Sequence, residues 1–113
     1  MNTLELEHRF EEIYGKRAEH TYFAPGRVNL IGEHTDYNGG LVFPCALSFG
    51  TYLLIAKRED RQNRFSSVNI DRSYTANANA FEDKPTAWIK YPIGVMKEFA
   101  ERGSDVWGYD LLY

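Results

Sequence analysis

The chain has 113 residues, a mild net charge of -3, and 43% apolar and 15% aromatic residues. One domain of this length and composition can bury a core, so low hydrophobicity is no reason to expect disorder. The charge does not favour nucleic acid, for which a basic stripe is typical, and the apolar run at residues 41–47 is too short to cross a bilayer.

An amphipathic helix is the first predicted element. Leu6, Phe10, Ile13 and Tyr14 recur at helical spacing, and charged residues fill most of the positions between them. Gly15 follows directly, and glycine is typical just after a helix because it adopts a left-handed conformation without strain. The sequence therefore predicts a helix that ends at Gly15.

Cellular location is predicted from the cysteine content and the first residues. The one cysteine, Cys45, excludes an intrachain disulfide, which fits a reducing compartment. It stands between apolar neighbours, which favours a buried, inert thiol over a nucleophile. Residues 1–12 are charged and carry no secretion signal. Together these features predict a cytoplasmic protein.

The densest group of reactive side chains lies between two apolar runs. A short strand is predicted at residues 21–23, and residues 28–31 and 41–43 are typical of strands flanking a Gly-, Asn- and Asp-rich loop. Carboxylate, imidazole, amide and phenol groups on that loop suit the neighbouring hydroxyls of a sugar. Arg27 before it suits a transferring phosphoryl group. These residues favour a sugar kinase; a solvated turn without a ligand is the alternative. A metal site is less favoured, because the spacing is not HExxH.

The second half alternates strands with one more helix. Strands are predicted at residues 50–57, 64–70, 74–76 and 106–113. A helix is predicted from Thr86, its N-cap, to Gly103, with Pro92 in the first turn or at a kink. Its apolar face comprises Trp88, Ile89, Ile93, Met96, Phe99 and Ala100. Strands mixed with two helices predict an α+β fold in which helices cover one face of a sheet.

One long motif resembles the signature of galactokinases, which belong to the GHMP kinase superfamily. It reads Gly26-Arg27-Val28-Asn29-Leu30-Ile31-Gly32-Glu33-His34-Thr35-Asp36-Tyr37-Asn38-Gly39-Gly40. The flanking residues 43–47 and 49–52 resemble the next strand and turn of the family. The resemblance implies the GHMP kinase N-terminal domain, a mixed sheet covered by helices on one face, with the fold of the second domain of ribosomal protein S5. Residues 1–113 would form part of that galactose-binding domain.

The resemblance also implies roles for individual residues. The side chains implied to bind galactose are Glu33, His34, Thr35, Asp36, Tyr37 and Asn38. Arg27 would stabilise the charge that develops near the transferred phosphoryl group. Trp88 and Tyr91 would contact adenine; the alternative for Trp88 is a place in the apolar core of the second helix.

The remaining kinase machinery is expected beyond residue 113. No GxxxxGK[ST] loop is present, which excludes a P-loop enzyme. The family's Gly- and Ser-rich phosphate loop, its catalytic Asp, its Mg²⁺ ligands and its C-terminal domain would all follow, so ATP and Mg²⁺ belong to a longer enzyme. The 113 residues are expected to be an inactive N-terminal fragment that is marginally stable or self-associates through exposed apolar surface.

Two other functions stay open on the sequence. A non-catalytic galactose sensor would keep the same signature, and a small structural domain would bind no ligand. The preference among galactose, N-acetylgalactosamine and arabinose is also open, because the pocket floor is only partly present.

Overall fold

Five strands and two helices make up the fold. A computed structural model describes residues 2–32, 34, 37–77 and 88–113. The elements are α1 (Thr3–Tyr14), β1 (His20–Ile31), β2 (Phe43–Lys57), β3 (Asn63–Ser66), β4 (Tyr74–Ala76), α2 (Lys90–Glu101) and β5 (Tyr109–Leu112). The strand order is β1-β2-β5-β3-β4. β5 pairs antiparallel with β2 and parallel with β3, which confirms the predicted α+β class and mixed sheet. Neither α1 nor α2 is long and apolar enough to span a membrane.

The chain divides into two compact units. Met1–Thr21 and Leu53–Tyr113 form one, here the helical unit, and Tyr22–Tyr52 form the other, here the hairpin unit. Every described apolar residue that is buried belongs to the helical unit. The structure therefore places the core in one unit and the signature motif in the other.

α1 is the predicted first helix, and its two ends explain its limits. The Asn2 side chain accepts a hydrogen bond from the Glu5 amide at 2.9 Å, and the Glu5 carboxylate accepts one from the Asn2 amide at 3.0 Å. This capping box satisfies two amides that the first turn leaves unpaired. Gly15 closes the helix at φ 71°, as predicted. Leu6 and Phe10 are buried.

α2 corresponds to the predicted second helix but begins later in the chain than predicted. It begins at Lys90, so Pro92 lies in the first turn, where its missing N–H leaves no partner unsatisfied. The predicted N-cap, Thr86, lies outside the described residues. Gly103 follows the helix at φ 91°. The apolar cluster around α2 comprises Phe65, Ile89, Ile93, Trp107 and Leu111.

The two helices lie against opposite faces of the sheet, so the prediction that helices cover one face is wrong in this detail. Side chains alternate along a strand, and Phe65 and Leu111 face α2. Ser66, on the other face, is hydrogen-bonded by the Tyr14 hydroxyl of α1 at 3.0 Å. Three consecutive residues of β5 from Asp110 onward are buried. A strand buried on both faces needs cover on both.

β2 differs most from the sequence prediction. Two strands were expected, at residues 41–43 and 50–57, but one strand of 15 residues runs through Gly50. A Cβ on Gly50 would overlap the Ala24 carbonyl oxygen and would lie 2.6 Å from the Pro25 Cα. Gly50 therefore marks a close approach of two backbones and not a turn.

The other strands differ from prediction in length. The strand predicted at residues 21–23 is the start of the longer β1, and β3 ends at Ser66, short of the predicted residue 70. β4 matches its prediction. β5 lies within the strand predicted at residues 106–113 and is shorter than predicted.

Candidate functional site

The signature motif spans the end of β1 and the loop that follows it. Arg27 lies on β1 and is exposed. Gly32 ends the strand at φ 89°, a conformation that favours glycine. Of the predicted sugar-binding residues, the structure describes His34, Tyr37 and Asn38. Glu33, Thr35 and Asp36 lie outside the described residues.

The three described loop residues contact one another. His34 Nδ1 and the Tyr37 hydroxyl form a short hydrogen bond, and the two rings meet edge to face with centroids 5.8 Å apart. The Asn38 side-chain amide donates to the His34 carbonyl oxygen at 2.6 Å. Gly39 then turns the chain at φ 77°. The loop therefore gathers an imidazole, a phenol and an amide at one place, as a polyhydroxy ligand would require.

The bonds within the described part of the loop do not use every polar atom of these side chains. Among the hydrogen bonds between described residues, none uses His34 Nε2 or the Asn38 side-chain carbonyl oxygen. His34, Tyr37 and Asn38 are all exposed. The structural role expected of a turn Asn and a ligand-binding role are therefore compatible in the same residue.

Arg27 keeps its guanidinium open to solvent. Among the ion pairs between described residues, none involves Arg27. Most other ion pairs occupy arginines of the helical unit, such as Arg58 and Arg61. An arginine on a strand and free of a described carboxylate is suited to meet an anionic ligand.

The two predicted adenine contacts have different environments. Trp88 packs edge to face against Tyr74 and Tyr113, with ring centroids 6.0 and 5.6 Å away. This packing agrees with the alternative prediction, in which Trp88 belongs to the apolar core of the second helix. Its Nε1 is buried with no acceptor in the part of the chain that the structure describes. Tyr91 is 69% exposed, and Lys90 Nζ lies 5.2 Å from its ring centroid. Of the two, Tyr91 is the more exposed, and Trp88 is partly buried.

A buried carboxylate in the helical unit was missed by the sequence analysis. Asp110 has no exposed surface. It is bound by Arg58 Nη1 at 2.8 Å, by Arg64 Nε at 2.8 Å and by Lys16 Nζ at 2.9 Å. Burial alone would raise the pKa of Asp110, but the hydrogen bonds from Arg64, Arg58 and Lys16 outweigh it and lower the pKa. The sequence feature that could have indicated this buried carboxylate is a single Asp between apolar residues of a predicted strand.

Further carboxylates near Asp110 balance the positive charge of the cations that bind it. Arg58 also binds Asp60 through two atoms at 2.7 and 2.8 Å. The Arg64 guanidinium lies 4.9 Å from the ring centroid of Tyr14. The cavity here, of about 500 Å³, is lined by Tyr14, Lys16, Arg58, Glu59, Asp60, Arg64 and Asp110. Three cations face three carboxylates, so the cluster ties strands and helix together and offers no net charge to a ligand.

Comparison with known proteins identifies the region that carries the signature. Residues 8–57 match the family model described as the galactokinase galactose-binding signature. This range contains β1, the loop and the whole of β2. It includes Arg27 and the described loop residues His34, Tyr37 and Asn38.

Relatives and a solved structure match nearly the whole chain. It is 47% identical over 113 residues to the galactokinase of Clostridium tetani, covering 99% of this chain and 29% of the relative. It is also 47% identical over 107 residues to a galactokinase of Lacticaseibacillus casei, covering 93% and 28%. The crystal structure of Lactococcus lactis galactokinase complexed with galactose matches with a TM-score of 0.85 and 35% identity, covering 98% of this chain and 30% of that one. The chain thus spans less than a third of the length of these relatives.

Proposed function

Because this chain belongs to the galactokinase family, we propose that it forms the sugar-binding part of an ATP-dependent kinase acting on the anomeric hydroxyl of α-D-galactose. The observation that carries the proposal is the match of residues 8–57 to the galactose-binding signature. In domain terms, residues 1–113 are part of a GHMP kinase N-terminal domain. The galactose bound in the Lactococcus lactis enzyme supports the choice of sugar.

In this proposal, the loop residues supply both hydrogen-bond donors and acceptors to the sugar hydroxyls. His34, Tyr37 and Asn38 meet in the described loop, and their free polar atoms are proposed to bond sugar hydroxyls. Glu33, Thr35 and Asp36 are proposed to complete the set. A carboxylate accepts a hydroxyl proton more strongly than a neutral group does, so the acidic residues would dominate the choice between epimers.

Arg27 is proposed to act on the transferred group. Phosphoryl transfer is catalysed mainly by positioning and by stabilising charge on the equatorial oxygens. A guanidinium is always charged at neutral pH and presents several donors to such oxygens. Its exposure and its lack of a described carboxylate partner leave that charge available.

The proposal assigns to this chain only some of the residues that bind the nucleotide. ATP would supply the phosphoryl group, and Tyr91 and Trp88 are proposed as adenine contacts, of which Tyr91 is the more accessible. No group of His, Cys, Asp and Glu side chains arranged to hold a metal occurs among the described residues. The proposal therefore assigns no Mg²⁺ ligand here. It places the enzyme in the cytoplasm, where the exposed thiol of Cys45 stays reduced.

A chimera tests the proposal directly. Residues 1–113 would replace the matching segment of Lactococcus lactis galactokinase, and ADP release would be measured with galactose, N-acetylgalactosamine and arabinose. We expect galactose-dependent turnover, and the sugar panel then ranks the three substrates. His34→Ala is expected to raise KM for galactose by about tenfold or more, because a lost sugar contact costs about 1.4 kcal/mol or more.

The controls separate folding from function. The 113-residue chain by itself is expected to show no ATP-dependent galactose phosphorylation. A chimera that melts cooperatively and binds ATP, but neither binds galactose nor turns it over, would contradict the proposal. A chimera that binds galactose without turnover, while the parent enzyme is active, would favour the sugar-sensor alternative.

A further inference from the structure

The His34 residue is held at two places by its neighbours in the described part of the loop. The Tyr37 hydroxyl and His34 Nδ1 share a hydrogen bond, and the two rings also meet edge to face. The Asn38 side-chain amide donates to the His34 carbonyl oxygen at 2.6 Å, so the backbone of His34 is fixed as well as its ring. The group therefore orients one imidazole in a loop whose three described members are exposed to solvent.

The direction of the bond between the two rings sets which nitrogen of His34 carries the proton. A neutral imidazole has one N–H and one bare nitrogen, and the bond made by one nitrogen fixes the state of the other. The bare nitrogen is a stronger base than a phenol oxygen, and a phenol O–H is a stronger acid than an imidazole N–H. The favoured bond therefore runs from the Tyr37 hydroxyl to His34 Nδ1, which leaves the proton on Nε2.

A proton on Nε2 makes this nitrogen of His34 a hydrogen-bond donor. No hydrogen bond between described residues uses it. A sugar hydroxyl both donates and accepts, whereas an ionised carboxylate only accepts. Glu33 and Asp36, the acidic residues of the proposed sugar site, can therefore bind the protons of the hydroxyls but not their oxygen lone pairs. A fixed N–H donor on the same loop supplies the complementary bond.

We propose that Tyr37 is a positioning residue, whose hydroxyl holds the His34 imidazole in the orientation and tautomer in which Nε2–H donates to a hydroxyl oxygen of the sugar. The inference rests on the proposed function and refines it, because Tyr37 then contributes to sugar binding through His34. A ring that is already oriented loses less conformational freedom when the sugar binds. Removal of the Tyr37 hydroxyl should therefore weaken galactose binding and leave the transfer step unchanged.

A double-mutant cycle in the chimera with Lactococcus lactis galactokinase tests whether Tyr37 acts through His34. Tyr37→Phe keeps the ring contact and removes the hydroxyl. It should raise KM for galactose by about fivefold with little change in kcat, the usual effect of losing one hydrogen bond that orients a ligand contact. In the His34→Ala background the same change should have no further effect, because two residues that act through one contact are not additive.

Tyr52→Phe is the matched control for the loss of a phenol hydroxyl. Tyr52 lies on β2 in the same hairpin unit, and its ring packs against Phe23 with centroids 4.8 Å apart. Neither residue belongs to the proposed sugar site. Tyr52→Phe should therefore leave KM and kcat unchanged.

Nitrogen NMR reads the tautomer of His34 without any sugar. The chain contains three histidines, so ¹⁵N-histidine labelling of the chain and of the chimera gives few signals, and His34→Ala assigns those of residue 34. At a pH where titration shows the imidazoles to be neutral, Nε2 of His34 should carry the proton and Nδ1 should not. In Tyr37→Phe both nitrogens should move toward the averaged shifts of a histidine that exchanges between tautomers. The signals of His8, on α1, should not move.

Three results would overturn the inference. One is a neutral His34 that carries its proton on Nδ1. Another is an unchanged KM for galactose in Tyr37→Phe. The third is an equal rise in KM from Tyr37→Phe with and without the His34 imidazole, which would mean that the Tyr37 hydroxyl binds the sugar directly or only stabilises the loop. A chimera that folds but binds no galactose contradicts the proposed function instead, and the NMR spectra then still decide whether Tyr37 fixes the tautomer of His34.

Discussion

At the scale of single residues, Arg27 carries the strongest functional expectation. In the chimera, Arg27→Ala should lower kcat by about 10²-fold, the usual cost of losing one donor that stabilises transition-state charge. The KM for galactose should change much less, because the lost interaction forms in the transition state. Steady-state kinetics with galactose and ATP varied in turn would measure both.

The conservative variant sharpens this prediction. Arg27→Lys keeps the charge but loses the planar set of donors, so it should recover only part of kcat. An unchanged kcat in Arg27→Ala would remove Arg27 from the chemistry. A rise in KM alone would make it a binding residue.

Asp110 is the residue on which local stability depends most. Its carboxylate is buried and holds three cations from three segments of the helical unit. Asp110→Asn should destabilise the chain by about 3 kcal/mol, because removing one partner of a buried ion pair leaves the others uncompensated. The urea midpoint at pH 7 measures this. Asp105→Asn is the matched control, since Asp105 and Arg61 form an exposed pair, and its midpoint should stay near that of the wild type.

The same carboxylate should make stability depend on pH. Its pKa is lower in the folded chain than in the unfolded one, so its contribution is complete above the unfolded value of about 3.9 and is lost as pH falls through the folded value. The urea midpoint of the wild type should therefore drop more between pH 5 and pH 2.5 than that of Asp110→Asn. Equal drops in the two proteins would show that Asp110 is not the acid-sensitive group.

At the scale of elements, Gly50 tests how β1 and β2 approach each other. A Cβ at Gly50 would meet backbone atoms of Ala24, Pro25 and Gly26, which cannot move aside as a flexible side chain can. Gly50→Ala should therefore cost about 2 kcal/mol or more within the hairpin unit. Amide exchange of residues 22–52, measured with and without the substitution, would report the loss.

Gly94 provides the matched comparison on a helix. A Cβ there would have no atom within 4 Å, and Gly94 lies inside α2. Gly94→Ala should stabilise the chain by about 0.5–1 kcal/mol, because alanine loses less backbone entropy than glycine in a helix. If Gly50→Ala were as well tolerated as Gly94→Ala, the close backbone approach would be wrong.

The elements also show what the sequence can and cannot predict. α1 was predicted to its last residue, because periodicity and a terminal glycine are both local signals. β2 was predicted as two strands, because a glycine between apolar runs is typical of a turn. The sequence does not show that another backbone lies against Gly50. Cys45 was predicted to be buried, yet it is exposed. Its apolar neighbours indicate burial only when something covers the strand.

The signature and the Asp110 cluster also differ in how far the sequence predicts them. The signature from Gly26 to Gly40 is contiguous in the chain, so the amino-acid order alone is enough to name its residues. The cluster around Asp110 joins positions up to 94 residues apart, from Lys16 to Asp110. No local pattern contains such a group, because strand pairing brings it together.

At the scale of the whole molecule, the buried apolar core is unevenly distributed. All ten buried apolar residues among those described belong to the helical unit. The described part of the hairpin unit, which carries the signature, has none. Segments with few buried apolar contacts open at low free-energy cost, and binding sites are often drawn from them. The signature motif therefore lies in the part of the chain expected to open first.

Amide hydrogen exchange on the isolated chain tests this uneven stability. Peptides covering residues 28–31 and 43–49 should exchange about a hundredfold faster than those covering β3 and β5, a difference of about 2.7 kcal/mol in opening free energy. The reason is that β3 and β5 contain buried residues, such as Phe65 and Leu111, whereas the hairpin strands must break only exposed contacts. Equal protection of both units in the isolated chain would contradict this division, because it would mean that the hairpin is stabilised by contacts within the 113 residues alone.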